Sequence, residues 1–137
     1  MLAPNTDMIR LFLHVLAATV WVGGQIALAG VVPVLRSRGL DMAVRIAAQA
    51  YARVAWPAFG VLVLTGVWNL AAVDVTDTTA PYQQTLFVKL MFVALSGAGA
   101  AVHQAGRSKA ALAIGGALGL LGALAAMFSG YLLTAGS

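Results

Sequence analysis

The chain is 137 residues long, 61% hydrophobic and 9% charged, with eight basic and four acidic residues and no cysteine. A water-soluble domain is charged at about a quarter of its positions, so this composition excludes one and calls for lipid as the main solvent. The missing thiols exclude disulfides, thiolate zinc or iron–sulfur sites and covalent haem attachment, leaving His, Met, Lys and oxygen to hold any metal or cofactor.

The charged residues are separated by long apolar gaps: Leu11 to Leu35, Val54 to Val73, Pro81 to Gly106 broken only by Lys89, and Ala110 to Ser137. Each gap is about 20 residues or more, enough at about 1.5 Å per residue to cross a hydrocarbon layer about 30 Å thick. The expectation is an all-α integral membrane protein in one transmembrane domain, residues 1–137, with four spans. Short loops force neighbouring helices to run antiparallel, an up-down-up-down four-helix bundle.

Span one is expected over about 8–32, stopping near Pro33. Its apolar run is about twice the 7–15 residue core of a cleaved leader, and Arg36 and Arg38 flank the wrong end for one, so it reads as a span. Residues 41–52 follow as an amphipathic segment at the membrane surface, with Asp41 as its N-cap and Arg45, Gln49 and Arg53 recurring every four positions. Span two is expected over 52–73, kinked at Pro57, with Trp68 near its end. Asp74 to Thr79 form a short polar loop, and Pro81 suits the first turn of span three, 82–105. Span four, 110–133, carries Gly115, Gly116, Gly119 and Gly122, a face that packs against another helix in this chain or in a second copy.

Charge placement sets the expected topology. Arg36, Arg38, Arg45 and Arg53 separate spans one and two, Arg107 and Lys109 separate three and four, and the middle loop holds only Asp74 and Asp77. The positive-inside rule then places the first and third loops in the cytoplasm and both termini outside, in a multi-pass protein of the cytoplasmic (inner) membrane. The excess of basic residues is topological, and no nucleic-acid partner is expected.

Polar groups within hydrocarbon are expensive and therefore informative. On span one, Arg10, His14, Trp21 and Gln25 are spaced 4, 7 and 4 apart and share one stripe, expected to face the interior. On span three, Lys89, Ser96 and His103 are seven apart and share another. Lys89 and His103 are separated by about 21 Å along the axis, too far for one compact site. His14 and Lys89 each lie one to two turns inside the outer end of their spans, at similar depth. The ordinary readings are a histidine satisfied by a neighbouring helix, a lysine snorkelling to the surface, and His103 and Arg53 as interfacial anchors. Gly23, Gly24, Gly66, Gly97 and Gly99 leave either a slot for a flat macrocycle or sites of close helix packing.

These residues carry a family resemblance. His14-Val-Leu-Ala-Ala-Thr-Val-Trp21-Val-Gly23-Gly24 resembles the first helix of the copper-resistance protein D family and of the bacterial J-type protoporphyrinogen oxidase. Ala52-Arg53-Val-Ala and Leu62-Val-Leu-Thr-Gly66 resemble the copper-resistance pattern, and Val88-Lys89-Leu90 is shared by both. The resemblance runs over about residues 8–133. The oxidase's Tyr-His in mid span three has no counterpart, and His103 stands at a later position.

The oxidase side of the resemblance implies a haem b held between spans one and three. On that side His14 and Lys89 are the haem-binding residues, with His14 an iron ligand and Lys89 either the second ligand or a charge near a propionate. Arg10, one turn from His14, is expected as another propionate partner and Trp21 as part of the site. If such a protein is an enzyme, it is a membrane oxidoreductase. The copper side implies transport or resistance, with His14 and Met127 as soft ligands for Cu(I). A non-catalytic assembly subunit is the third reading. Haem binding leads the three, and the expected partners are the bilayer, haem or porphyrin, and a homo-oligomer or membrane complex.

Overall fold

The computed structural model describes residues 1–136, and among them the chain is helical with no strand. Four helices appear in order: α1, Thr6–Ser37; α2, Asp41–Ala72; α3, Ala80–Ala105; and α4, Lys109–Ala135. All four are long and apolar enough to span a membrane, with mean hydropathy between 1.6 and 2.1 over their most apolar stretches. The expectation of an all-α membrane protein with four spans holds.

The helices form two compact units, the hairpin α1–α2 in Met1–Val73 and the hairpin α3–α4 from Asp74 onward. Each is described by itself. At most 28% of any span's apolar window is buried by protein, so most of the apolar surface is left for hydrocarbon.

Helix ends follow local chemistry. The Asn5 side chain accepts from the Met8 amide at 2.9 Å and starts α1. The expected stop at Pro33 does not occur, and α1 runs through it to Ser37. Proline removes one backbone donor, and what ends the helix is Gly39 at φ +71, the one left-handed residue among those described. There Gly39 N–H donates to the Arg36 carbonyl and Leu40 N–H to that of Leu35, both at 3.0 Å, a Schellman closure that only glycine makes without strain.

That turn also displaces Asp41 from the expected capping position. The N-cap is Leu40, without a side-chain cap, and Asp41 stands in the first turn, where its charge complements the helix dipole. The surface segment and span two are one continuous 32-residue helix, with Pro57 inside it.

The polar loop contains a single 3-10 turn, Val75–Asp77. Asp74 accepts from the hydroxyl and the amide of Thr76, and these bonds hold its exposed carboxyl below the usual carboxylate range. Thr79 caps α3 with Pro81 in its first turn, and Ser108 caps α4 by accepting from Ala111 N–H at 3.0 Å.

Backbone contact holds the second hairpin together. A Cβ on Gly99 would stand 2.5 Å from Gly119 N and 2.9 Å from Gly115 O, and one on Gly122 would stand 3.0 Å from Ser96 N. The glycine face of span four therefore packs within the chain, against α3.

Candidate functional site

Arg10, His14 and Trp21 of the stripe turn toward α2 along the first hairpin, while Gln25 bonds back to the Trp21 carbonyl within α1. Arg10 ion-pairs with Asp7 at 3.0 Å, and its guanidinium carbon lies 5.9 Å from the centre of the Trp68 ring. The Arg10 side chain is 14% exposed against 75% for Asp7, and its Nε is buried without a hydrogen-bond partner.

One turn further along, His14 Nδ1 lies 2.9 Å from Thr65 Oγ1. The threonine hydroxyl has a single proton, and its shortest acceptor is the Val61 carbonyl, 2.7 Å away and one turn back on α2. A ring protonated on Nδ1 donates to this oxygen and carries its lone pair on Nε2, and a ring protonated on Nε2 accepts the threonine proton at Nδ1. Gly66 lies beside the ring, where a Cβ would make an ordinary contact with His14 Cε1 at 3.5 Å.

Deeper in the same hairpin Trp21 is 3% exposed. Its ring centre lies 5.3 Å from that of Trp56 and 4.4 Å from that of Phe59. Its carbonyl accepts from Tyr51 Oη at 2.7 Å and from Gln25 Nε2 at 3.0 Å. The Tyr51 ring fills the space over Gly24, where a Cβ would fall 2.0 Å from a ring carbon. The room at Gly24 and Gly99 is thus taken up by close packing, while a Cβ on Gly23 would meet nothing within 4 Å.

In the second hairpin Lys89, Ser96 and His103 all turn toward α4. Ser96, 1% exposed, donates to the Gly119 carbonyl at 2.7 Å. His103 Nδ1 donates to the Leu112 carbonyl at 2.6 Å, and its ring covers Gly116. Lys89 stretches over Gly130, with Nζ 3.2 Å from where a Cβ would stand. Met91 and Met127 are about half exposed on outward faces of their helices.

Residues 45–116, just over half of the chain, match the family model of copper resistance protein D. The chain belongs to the copper resistance protein D family. The match covers Thr65, Gly66, Lys89 and His103, with His14 ahead of it. No curated protein and no solved structure shows significant similarity to the chain. Of the two resemblances in the sequence, the copper one is the one matched, and the comparisons add no support for the oxidase or for haem b. The protein is therefore a multi-pass membrane member of a copper-resistance family.

The described residues of this copper resistance protein D relative contain no group of three or more His, Cys, Asp or Glu side chains that could hold a metal. The soft donors that the sequence offers are two imidazoles and five thioethers. The sequence reading did not single out Thr65 as the partner of His14, nor Tyr51, Trp56 and Phe59 as the groups around Trp21. The available signal was Thr65 itself, a hydroxyl in mid-span that must find a partner away from water.

Proposed function

We propose that the protein moves copper across the membrane, with His14 Nε2 as a ligand for the cuprous ion. The family match supports copper as the cargo. The observation that carries the assignment to His14 is the Thr65 contact, which orients the imidazole as a second-shell partner orients a metal-binding histidine. A closed-shell Cu(I) ion favours imidazole and thioether donors, which suits a chain with two histidines, five methionines and no cysteine.

The test is the copper content of cells expressing the protein. His14→Ala and Met127→Leu are each expected to reduce copper accumulation or resistance, whereas unchanged copper in both variants overturns the transport reading. A visible spectrum of the purified protein separates copper from haem b. A Soret band that is lost in His14→Ala would replace the copper reading with haem bound through His14.

A further inference from the structure

Arg36, Arg38 and Arg45 stand at the α1–α2 turn with exposed side chains, and among the described residues no acidic group pairs with any of them. Asp41 is the one carboxylate in this stretch, so three arginines against one aspartate leave the turn at +2. Arg36, Asp41 and Arg45 line a cleft of about 300 Å³ together with the buried Val44. Leu40, Met42 and Ile46, next to these residues in the chain, are apolar and exposed. Each helix of this hairpin has 32 residues, about 48 Å of helix for a hydrocarbon layer of about 30 Å. With Arg10 and Trp68 at one hydrocarbon edge, about 20 residues of helix reach the other edge near Gly30 and Ala48. Arg45 then lies about 4 Å beyond that edge and Arg36 about 9 Å, so the pair spans the headgroup layer, which is about 5–8 Å thick.

We propose that the cleft between Arg36 and Arg45 binds the phosphodiester headgroup of an anionic phospholipid. A guanidinium donates two parallel hydrogen bonds to phosphate oxygens, and two of them without a carboxylate partner hold the charge that such a headgroup lacks. The exposed apolar side chains beside the cleft suit the glycerol and the first acyl carbons of a lipid, which a free phosphate does not carry. A zwitterionic lipid presents the same phosphate, but its own ammonium group offsets the attraction, so the site selects by net charge. Each arginine near an anionic surface is worth about fivefold in affinity. Asp41 opposes the bound phosphate and holds the selectivity below what the arginines alone would give.

The test uses the full chain in a nonionic detergent, titrated with dioctanoyl phosphatidylglycerol, dioctanoyl phosphatidylcholine and inorganic phosphate. Because the chain has no cysteine, Ser37→Cys in the turn takes a single environment-sensitive fluorophore that reports binding locally. Phosphatidylglycerol is expected to bind more tightly than either of the other probes. Arg36→Gln and Arg45→Gln should each weaken it about fivefold, and Asp41→Asn should tighten it. Opposite shifts at neighbouring exposed side chains are not expected of a merely structural role, and Asp41→Asn keeps every arginine should a glutamine variant fail to fold. Equal affinity for the two lipids overturns the proposal, as does a preference for phosphatidylglycerol that none of the three substitutions moves. Inorganic phosphate binding as tightly as phosphatidylglycerol assigns the cleft to a free phosphate and overturns the lipid.

Discussion

Replacing Thr65 with valine tests the hydrogen bond on which the His14 assignment depends. Thr65 is 5% exposed, and valine matches its shape, so packing against the imidazole and Gly66 is preserved while the acceptor for Nδ1–H is removed. A hydrogen bond between membrane helices contributes about 0.6–2 kcal/mol, so the hairpin should remain folded with a modest loss. The larger effect falls on the metal. Without the oxygen 2.9 Å away, the proton is no longer held on Nδ1 and the Nε2–H tautomer, which cannot ligate through Nε2, gains population. Loss of an orienting partner typically weakens metal binding about 10–100-fold. Nitrogen-15 spectra of the labelled histidines read the tautomer, and silver competition titrations read the affinity. Thr65→Ser keeps the hydroxyl and is expected to behave as wild type. A Thr65→Val protein that keeps both the Nδ1–H tautomer and wild-type affinity refutes the reasoning.

Two further outcomes concern packing and insertion. Gly99→Val places a side chain where a Cβ already falls 2.5 Å from the backbone of α4, so the second hairpin should lose about 1–3 kcal/mol or more in a detergent unfolding assay. Gly23→Ala, with nothing within 4 Å, should be unchanged in the same assay. For topology, the distribution of basic residues proposes that reporters at either terminus are external and that one in the Ser37 to Asp41 turn is cytoplasmic. Cytoplasmic termini would reverse the side from which His14 is reached.

The four helices and the two polar stripes were legible because hydrocarbon leaves the chain few alternatives. A segment that crosses it must be a long apolar helix, and its rare polar groups must turn inward on a 3.6-residue period. Arg10, His14 and Trp21 do face α2, and Lys89, Ser96 and His103 do face α4. Helix ends were less legible. Pro33 reads as a stop in sequence, but the closure depends on the φ of Gly39, which spacing does not reveal.

The side-chain arrangements were less legible again. Nothing in the spacing says that the Tyr51 ring occupies the room over Gly24, or that Arg10 folds over Trp68 instead of reaching for water. The tautomer of His14 depends on a hydroxyl 51 positions away. The choice between haem and copper was not legible from residue chemistry, because imidazole serves both metals.

The hydrogen bonds of the polar stripes have a consequence for biogenesis. His14, Gln25, Tyr51 and Thr65 find acceptors within the first hairpin, and Ser96 and His103 find theirs within the second. An emerging hairpin can therefore leave the translocon for lipid with these groups already satisfied, before the rest of the chain is made. Each half is a unit of insertion as well as of packing, and a ribosome stalled after Val73 would leave a folded helical pair in the bilayer.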